Sequence, residues 1–315
     1  MLKPLHLFYC ASLLGLTTIS GLLLLLYHCA PVLYYLCTGI LLGSVGYCVV
    51  LYLAPKSRVS GKGKAVFITG CDSGFGFGLA KRLDSLGFNV FAGCLLAGSG
   101  GEGSKKLRTE CSSRLSTVQI DVTDDGQVQA AVRQIRDSLP TGSEGRVVNV
   151  SSVRGLHAGP MAGAYSMAKA AMEFFSDALR HEMHKWGVKV VIVEPGGFAR
   201  ATDITLPATI NRLVEDMRNN VEDVVKEDYG MGYFDFTMEQ LRIDDQGESA
   251  ARDPTAVIDA MVDAVTLTTP SHRYLVGSSF EDYVTWMWLG YFPTRWTLLA
   301  DKEGDPKPAM MKKNH

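Results

Sequence analysis

Tyr165 and Lys169 stand four residues apart in a stretch with helical spacing, so they share one helical face. A free tyrosine titrates near ~10 and is a poor base at neutral pH. A lysine ammonium close by favours the phenolate. Ser152 lies thirteen residues before the tyrosine, where the β-branched run Val147-Val148-Asn149-Val150 ends. A serine hydroxyl at that strand end can bond the same substrate oxygen. Together the three groups can remove a proton from an alcohol or return one to a carbonyl at neutral pH.

A second set of residues has the character of a phosphate cradle. Thr69-Gly70-Cys71-Asp72-Ser73-Gly74-Phe75-Gly76 follows the strand-like run 64–70, and a helix is expected from about Phe77 to Leu86. Strand, glycine loop and helix bring backbone N–H groups and a helix N-terminus up to a pyrophosphate. The next strand, Phe88–Cys94, ends in Cys94-Leu95-Leu96. It lacks the acidic residue that commonly holds a ribose, and no Arg or Lys replaces it for a 2′-phosphate. Asp72 repels such a phosphate, so the loop leans towards NAD over NADP.

The elements that must position these groups follow an alternating pattern. Residues 98–104 are Gly/Ser-rich and loop-like. Leu115–Val122 reads as a third strand, passing Asp121, and Asp125–Leu139 as a helix. The Arg146 strand comes next, then a helix from about Ala164 that Gly187 ends. Val188–Val193 is another strand, closed by Glu194-Pro195-Gly196-Gly197. Residues 203–250 read as a segment covering substrate. Pro254–Leu267 is a helix and Arg273–Val276 a short final strand. The aromatic tail through Tyr283, Trp286, Trp288, Tyr291, Phe292 and Trp296 suits either core or a membrane interface. Residues 301–315 form a polar tail.

Composition narrows the class further. The formal net charge of −2 and the lack of a basic run give nucleic-acid binding no support. Seven cysteines without paired spacing suggest neither a disulfide framework nor a metal site, and point to a reduced compartment. No Asp, Glu, Lys or Arg occurs between Lys3 and Lys56. That length accommodates two helical spans, about Leu5–Tyr27 and Val32–Leu53. One long tilted span, or a span plus an interfacial helix, is the alternative. Lys56, Arg58, Lys62 and Lys64 put the following flank in the cytosol by the positive-inside tendency. The expected organisation is an anchor over 1–55, a linker over 56–63 and a nucleotide-binding domain over 64–300. The start lacks the Arg-rich character of a mitochondrial presequence. Endoplasmic reticulum is therefore preferred, with the mitochondrial inner membrane as alternative.

These residues resemble the short-chain dehydrogenase/reductase family. The glycine loop matches its TGxxxGxG motif, Tyr165–Lys169 its YxxxK, Ser152 its serine, and Pro195-Gly196 its PG motif. GCDSGFG, VFAGC, KWGVKV and VEPGGF are similar to its membrane-associated branch of hydroxybutyrate, hydroxysteroid and retinol dehydrogenases. The resemblance implies a Rossmann-like, doubly wound α/β parallel sheet preceded by a transmembrane region. It implies an NAD-dependent oxidoreductase of secondary alcohols, acting on a small hydroxy acid or on a steroid or retinoid. Tyr165 is implied as general acid/base, with Lys169 beside it and Ser152 orienting the carbonyl. Gly70, Asp72, Ser73, Gly74, Phe75 and Gly76, with Pro195 and Gly196, are implied to hold the dinucleotide, and Asp121 its adenine. Asn149 is implied as structural. Where many relatives carry a nicotinamide-binding threonine this chain has Arg200, and the nearest threonine is Thr202.

One departure is large. The family's fourth strand, with its NNAG motif, and the long helix after it are missing. Only 25 residues separate Asp121 from Val147, whereas a βαβ unit takes about 30 or more. Either a gap opens beside the first strand, or the Val147 strand moves over by about 4.8 Å. The loss weakens any family-like homo-oligomer. It raises a rival reading, a membrane protein that binds a dinucleotide or a partner without turnover.

Overall fold

The computed structural model describes residues 31–53, 56–136, 139, 145–158, 162–202, 207–230, 232–233, 235–236 and 251–289. The first expected membrane span, all of 237–250, the tail aromatics Tyr291, Phe292 and Trp296, and the polar tail lie outside them.

Helix α1 (Pro31–Leu53) runs unbroken for 23 residues without a charge, over the second expected span. Taken over the described residues alone, no helix is long and apolar enough to cross a membrane. After it comes an alternating series: β1 (Ala65–Ile68), α2 (Gly74–Ser85), β2 (Asn89–Cys94), α3 (Glu102–Glu110), β3 (Leu115–Gln119), α4 (Asp125–Arg136) and β4 (Arg146–Val150). It continues through α5 (Gly163–His184), β5 (Lys189–Pro195), α6 (Pro207–Asn220), α7 (Asp223–Tyr229), α8 (Thr255–Thr266), β6 (Arg273–Val276) and α9 (Phe280–Leu289).

Two expectations need correction. The Gly/Ser-rich run 98–104 already contains the start of α3 at Glu102. Gly103 lies in that helix because a Cβ there would come within 1.9 Å of the Asp72 carbonyl oxygen. The glycine serves a close backbone crossing rather than a loop. The third strand is also shorter than expected, ending at Gln119, so Asp121 sits in the turn beyond it.

Among the described residues the six strands pair in parallel, in two separate three-stranded sheets ordered β1-β2-β3 and β4-β5-β6. The first of the two expected outcomes is therefore the one observed. Among the described residues, β4 does not move over to pair with β1, and each keeps an edge without a strand beside it. Burial records the consequence. β2 and β5 are buried along almost their whole length, as interior parallel strands are. β1 and β4 are mostly half-buried, with Phe67 and Val150 exposed.

Helices nonetheless cover both faces of the first sheet. On β2, Val90, Ala92 and Cys94 share a core with Leu79, Ala80 and Leu83 of α2. Phe91 points the other way, to Ala131 and Ile135 of α4, as strand alternation requires. α8 joins the two sheets: Val257, Ala260, Met261 and Ala264 lie in the same core as α2 and as Val191 and Val193 of β5. The Arg146 guanidinium donates to the carbonyls of Ala264 and Val265 at 2.7 and 2.6 Å. It thereby satisfies acceptors that a helix C-terminus leaves open. Arg58, before β1, bonds Thr266 and Asp263 of the same helix. The sheets are held together by this helix rather than by strand pairing.

Candidate active site

The glycine loop is built for close approach. Gly70 and Gly74 have φ of +70° and +59°, in the left-handed region that suits glycine. A Cβ on Gly76 would lie 2.3 Å from the Gly70 carbonyl oxygen, so no larger residue fits there. α2 starts at Gly74 with Ser73 as its N-cap, three residues earlier than expected. The helix N-terminus is thus part of the loop itself. Phe75 packs edge-on to the buried Phe198 at 6.4 Å between centroids.

Asp72 reaches the end of β2. Its carboxylate accepts from the backbone N–H of Leu95 at 2.7 Å and of Leu96 at 3.2 Å. The sequence shows an acid missing at the end of the second strand, and the structure brings one there from the loop. Asp121 holds its own turn, accepting from the Thr123 N–H and hydroxyl at 2.9 and 2.7 Å. Those bonds keep its carboxyl below the usual range. The nearby thiols are inert. Burial, with Asp72 adding to it, pushes Cys94 up to about 11, and burial next to Cys94 pushes Cys71 higher still.

On the second sheet, Ser152 is buried just beyond β4. Its hydroxyl accepts from the Arg154 N–H at 3.2 Å and donates to the Pro195 carbonyl at 3.4 Å. Lys169 donates from Nζ to the Val150 carbonyl at 3.2 Å. The same ammonium lies 5.6 Å from the centroid of the Tyr165 ring. The predicted Tyr–Lys neighbourhood is therefore present, next to the end of β4. Tyr165 itself is 49% exposed. Asn149 bonds Ser176 at 2.8 Å, which ties β4 to α5.

The Pro195-Gly196 turn is fixed from the tail. Gly196 donates to the Val276 carbonyl at 2.8 Å and Gly197 to Asp282 at 3.3 Å. Of the tail aromatics, Tyr283 is buried against Val153 and Leu275, with Trp286 partly buried on the same cluster. That stretch is core. Thr202, two positions beyond the expected threonine, packs against Gly74: its Cγ2 is 3.5 Å from where a Cβ would be. The offset spacing hid this contact between the PG turn and the glycine loop.

Behind Lys169 on α5 lies a buried ion cluster. Arg273 of β6 pairs with Glu194 of β5 at 2.6 Å, with Asp177 at 2.6 Å and with Glu173. Burial, and then the adjacent Glu173 carboxylate, raise Glu194 to about 8. Glu173 Oε1 and the Ser166 hydroxyl are buried without a hydrogen-bond partner.

Comparison with known proteins fits this geometry. The short chain dehydrogenase family model matches residues 64–141 and again 137–213. Mouse mitochondrial D-beta-hydroxybutyrate dehydrogenase is 36% identical over 276 residues, covering 71% of this chain and 79% of the relative. Mouse estradiol 17-beta-dehydrogenase 2 is 32% identical, covering 91% and 88%, and rat retinol dehydrogenase 7 is 30% identical, covering 85% and 98%. Among solved structures, a Streptomyces avermitilis short-chain dehydrogenase aligns with a TM-score of 0.52 at 23% identity, covering 76% of this chain and 96% of that one. A Burkholderia phymatum short-chain dehydrogenase/reductase in complex with NAD aligns at 0.50 and 18%, covering 79% and 99%. The first alignment spans 276 residues, yet 71% of 315 is about 224. About 50 positions of that relative therefore face no residue here. The family match itself comes in two segments, which overlap at 137–141. The chain belongs to the short-chain dehydrogenase family.

Proposed function

We propose that this chain carries the site of an NAD-dependent oxidoreductase that interconverts a secondary alcohol and a ketone. The carrying observation is one constellation: the Gly70–Gly76 loop opening α2, with Ser152, Tyr165 and Lys169 at the end of β4. The loop suits a dinucleotide: Gly70 and Gly74 take positive φ, and the turn closes so tightly that a Cβ on Gly76 would strike the Gly70 carbonyl. Its N–H groups and the α2 N-terminus would hold the pyrophosphate, and Asp121 would face the adenine. Asp72, bonded to Leu95 and Leu96, favours a ribose hydroxyl over a 2′-phosphate. When bound, the nicotinamide supplies the hydride chemistry.

The chain's own residues handle position and the proton. The Ser152 hydroxyl orients the substrate oxygen. Tyr165 takes the alcohol proton in oxidation and returns it in reduction. Lys169 keeps a positive charge beside that phenol, and two of its three N–H donors remain for other acceptors after the bond to Val150. The substrate is a small hydroxy acid, or a steroid or retinoid alcohol.

A second reading concerns this chain in particular, and the split sheet favours it. Here the dinucleotide binds but turnover is slight, because the two halves of the site lie on separate sheets. Calorimetric NAD titration followed by a turnover assay distinguishes the readings. Binding with turnover supports the first, and binding without turnover the second. Absence of NAD binding defeats both.

We also place the chain in a membrane, the endoplasmic reticulum in preference to the mitochondrial inner membrane. The support is the charge-free stretch Pro4–Pro55 and the unbroken backbone of α1 within it. The organisation into anchor, linker and nucleotide-binding domain rests on the same stretch.

A further inference from the structure

Arg154 lies two residues after Ser152, and its own N–H is bonded to the Ser152 hydroxyl. Its guanidinium stands 5.1 Å from the ring centroid of Trp286 on α9. His157 lies on the same indole, 6.4 Å between centroids. The stack holds the cation in one place, since a guanidinium is attracted to an indole face and loses little freedom there. All three side chains are only partly buried, so the wall they form is reachable.

Among the described residues, no carboxylate lies within ion-pair distance of Arg154. Asp282 bonds the same indole that Arg154 stacks on, and that charge is engaged. It accepts from the Ser278 N–H and hydroxyl at 2.7 and 2.9 Å, from the Gly197 N–H at 3.3 Å and from the Trp286 indole. Other arginines near the second sheet are committed: Arg180 and Arg273 to Asp177, Arg146 to α8. A fixed, open cation next to the candidate serine has a planar fork of donors that matches a carboxylate.

We propose that Arg154, backed by Trp286 and flanked by His157, receives a carboxylate on the substrate, which makes the substrate class a small hydroxy acid rather than a steroid or retinoid alcohol. This rests on the oxidoreductase reading of the same site. A steroid or retinoid alcohol offers no anion to this position, so binding there would leave the guanidinium facing apolar surface. A hydroxy acid has a group for each part of this wall: a carboxylate for Arg154 and a hydroxyl for Ser152 and Tyr165.

The test uses the full chain in detergent, titrated calorimetrically with NAD and then, at saturating NAD, with 3-hydroxybutyrate or its uncharged methyl ester. The acid should bind and the ester bind weakly. Arg154→Leu should weaken the acid by roughly 10- to 100-fold, and Arg154→Lys should recover part of that. Both variants should keep the parent's NAD affinity and thermal midpoint. Equal affinities for acid and ester overturn the proposal, as does an Arg154→Leu variant that binds the acid unchanged, or an NAD-bound chain that takes no acid. Failure of the oxidoreductase reading registers separately, as loss of the NAD signal before any acid is added.

Discussion

At the residue scale the site depends on a few positions where one atom decides. Gly76 is the sharpest. An added methyl would meet the Gly70 carbonyl at 2.3 Å, a backbone atom that cannot swing aside. Overpacking of this kind costs about 1–3 kcal/mol. Gly76→Ala should therefore weaken NAD binding by roughly tenfold or more, and calorimetry would read it directly. On the NAD reading proposed above, Asp72 sets selectivity. Asp72→Asn keeps an acceptor for Leu95 or Leu96 but removes the charge. A single charge at about 4 Å in water is worth ~1 kcal/mol, so NADP affinity should rise about fivefold while NAD affinity holds. An unchanged ratio of the two affinities would show that Asp72 does not face the ribose.

At the element scale the sequence showed much of the fold. β-branched runs marked β4 and β5, and the Tyr165–Lys169 spacing marked α5. α3 was hidden because Gly103, needed for its crossing over Asp72, reads as loop chemistry. Asp72's place at the end of β2 was hidden too, since the carboxylate and the strand end are 23 residues apart in sequence. Thr202 was hidden by a two-residue offset. The Arg273 cluster left no local signal at all: its acids lie on α5 and β5 and meet only when β6 pairs with β5. That cluster carries a pH prediction. Glu194 is raised from 4.5 to about 8, so the folded state holds a proton that the unfolded chain gives up. Its contribution to stability is full below about pH 4.5 and falls as pH rises towards 8, by at most ~1.4 kcal/mol per pH unit. The parent should thus be more resistant to urea at pH 5.5 than at pH 8. Glu194→Gln mimics the protonated acid and should flatten that difference. An equal slope in the variant would place the titration elsewhere.

At the scale of the whole molecule the governing fact is the split sheet. β1 and β4 each keep an edge unpaired among the described residues, and both are under-buried for parallel strands. α5 leaves Met167, Phe174 and Phe175 at 72%, 77% and 58% exposed. Apolar surface of that kind promotes association. Phe174→Ser combined with Phe175→Ser should reduce light scattering on concentration without changing NAD affinity. A double variant that scatters as the parent does would exclude this face as the source.

On the second reading proposed above, the same split also governs activity. The glycine loop belongs to the first sheet and Ser152 to the second, and among the described residues α8 and the PG turn relate them. A misplacement of about an ångström can cost ~100-fold in rate. Tyr165 remains half in solvent, where water competes for its proton. The most direct measurement compares NAD-dependent turnover by the purified chain with turnover by a version in which a hydroxybutyrate dehydrogenase relative's segment is inserted between Gly145 and Arg146. The account predicts that both bind NAD, that the inserted version turns over, and that the parent is slower by at least about 100-fold. Parent turnover within a few-fold of the inserted version, and abolished by Tyr165→Phe, would contradict it.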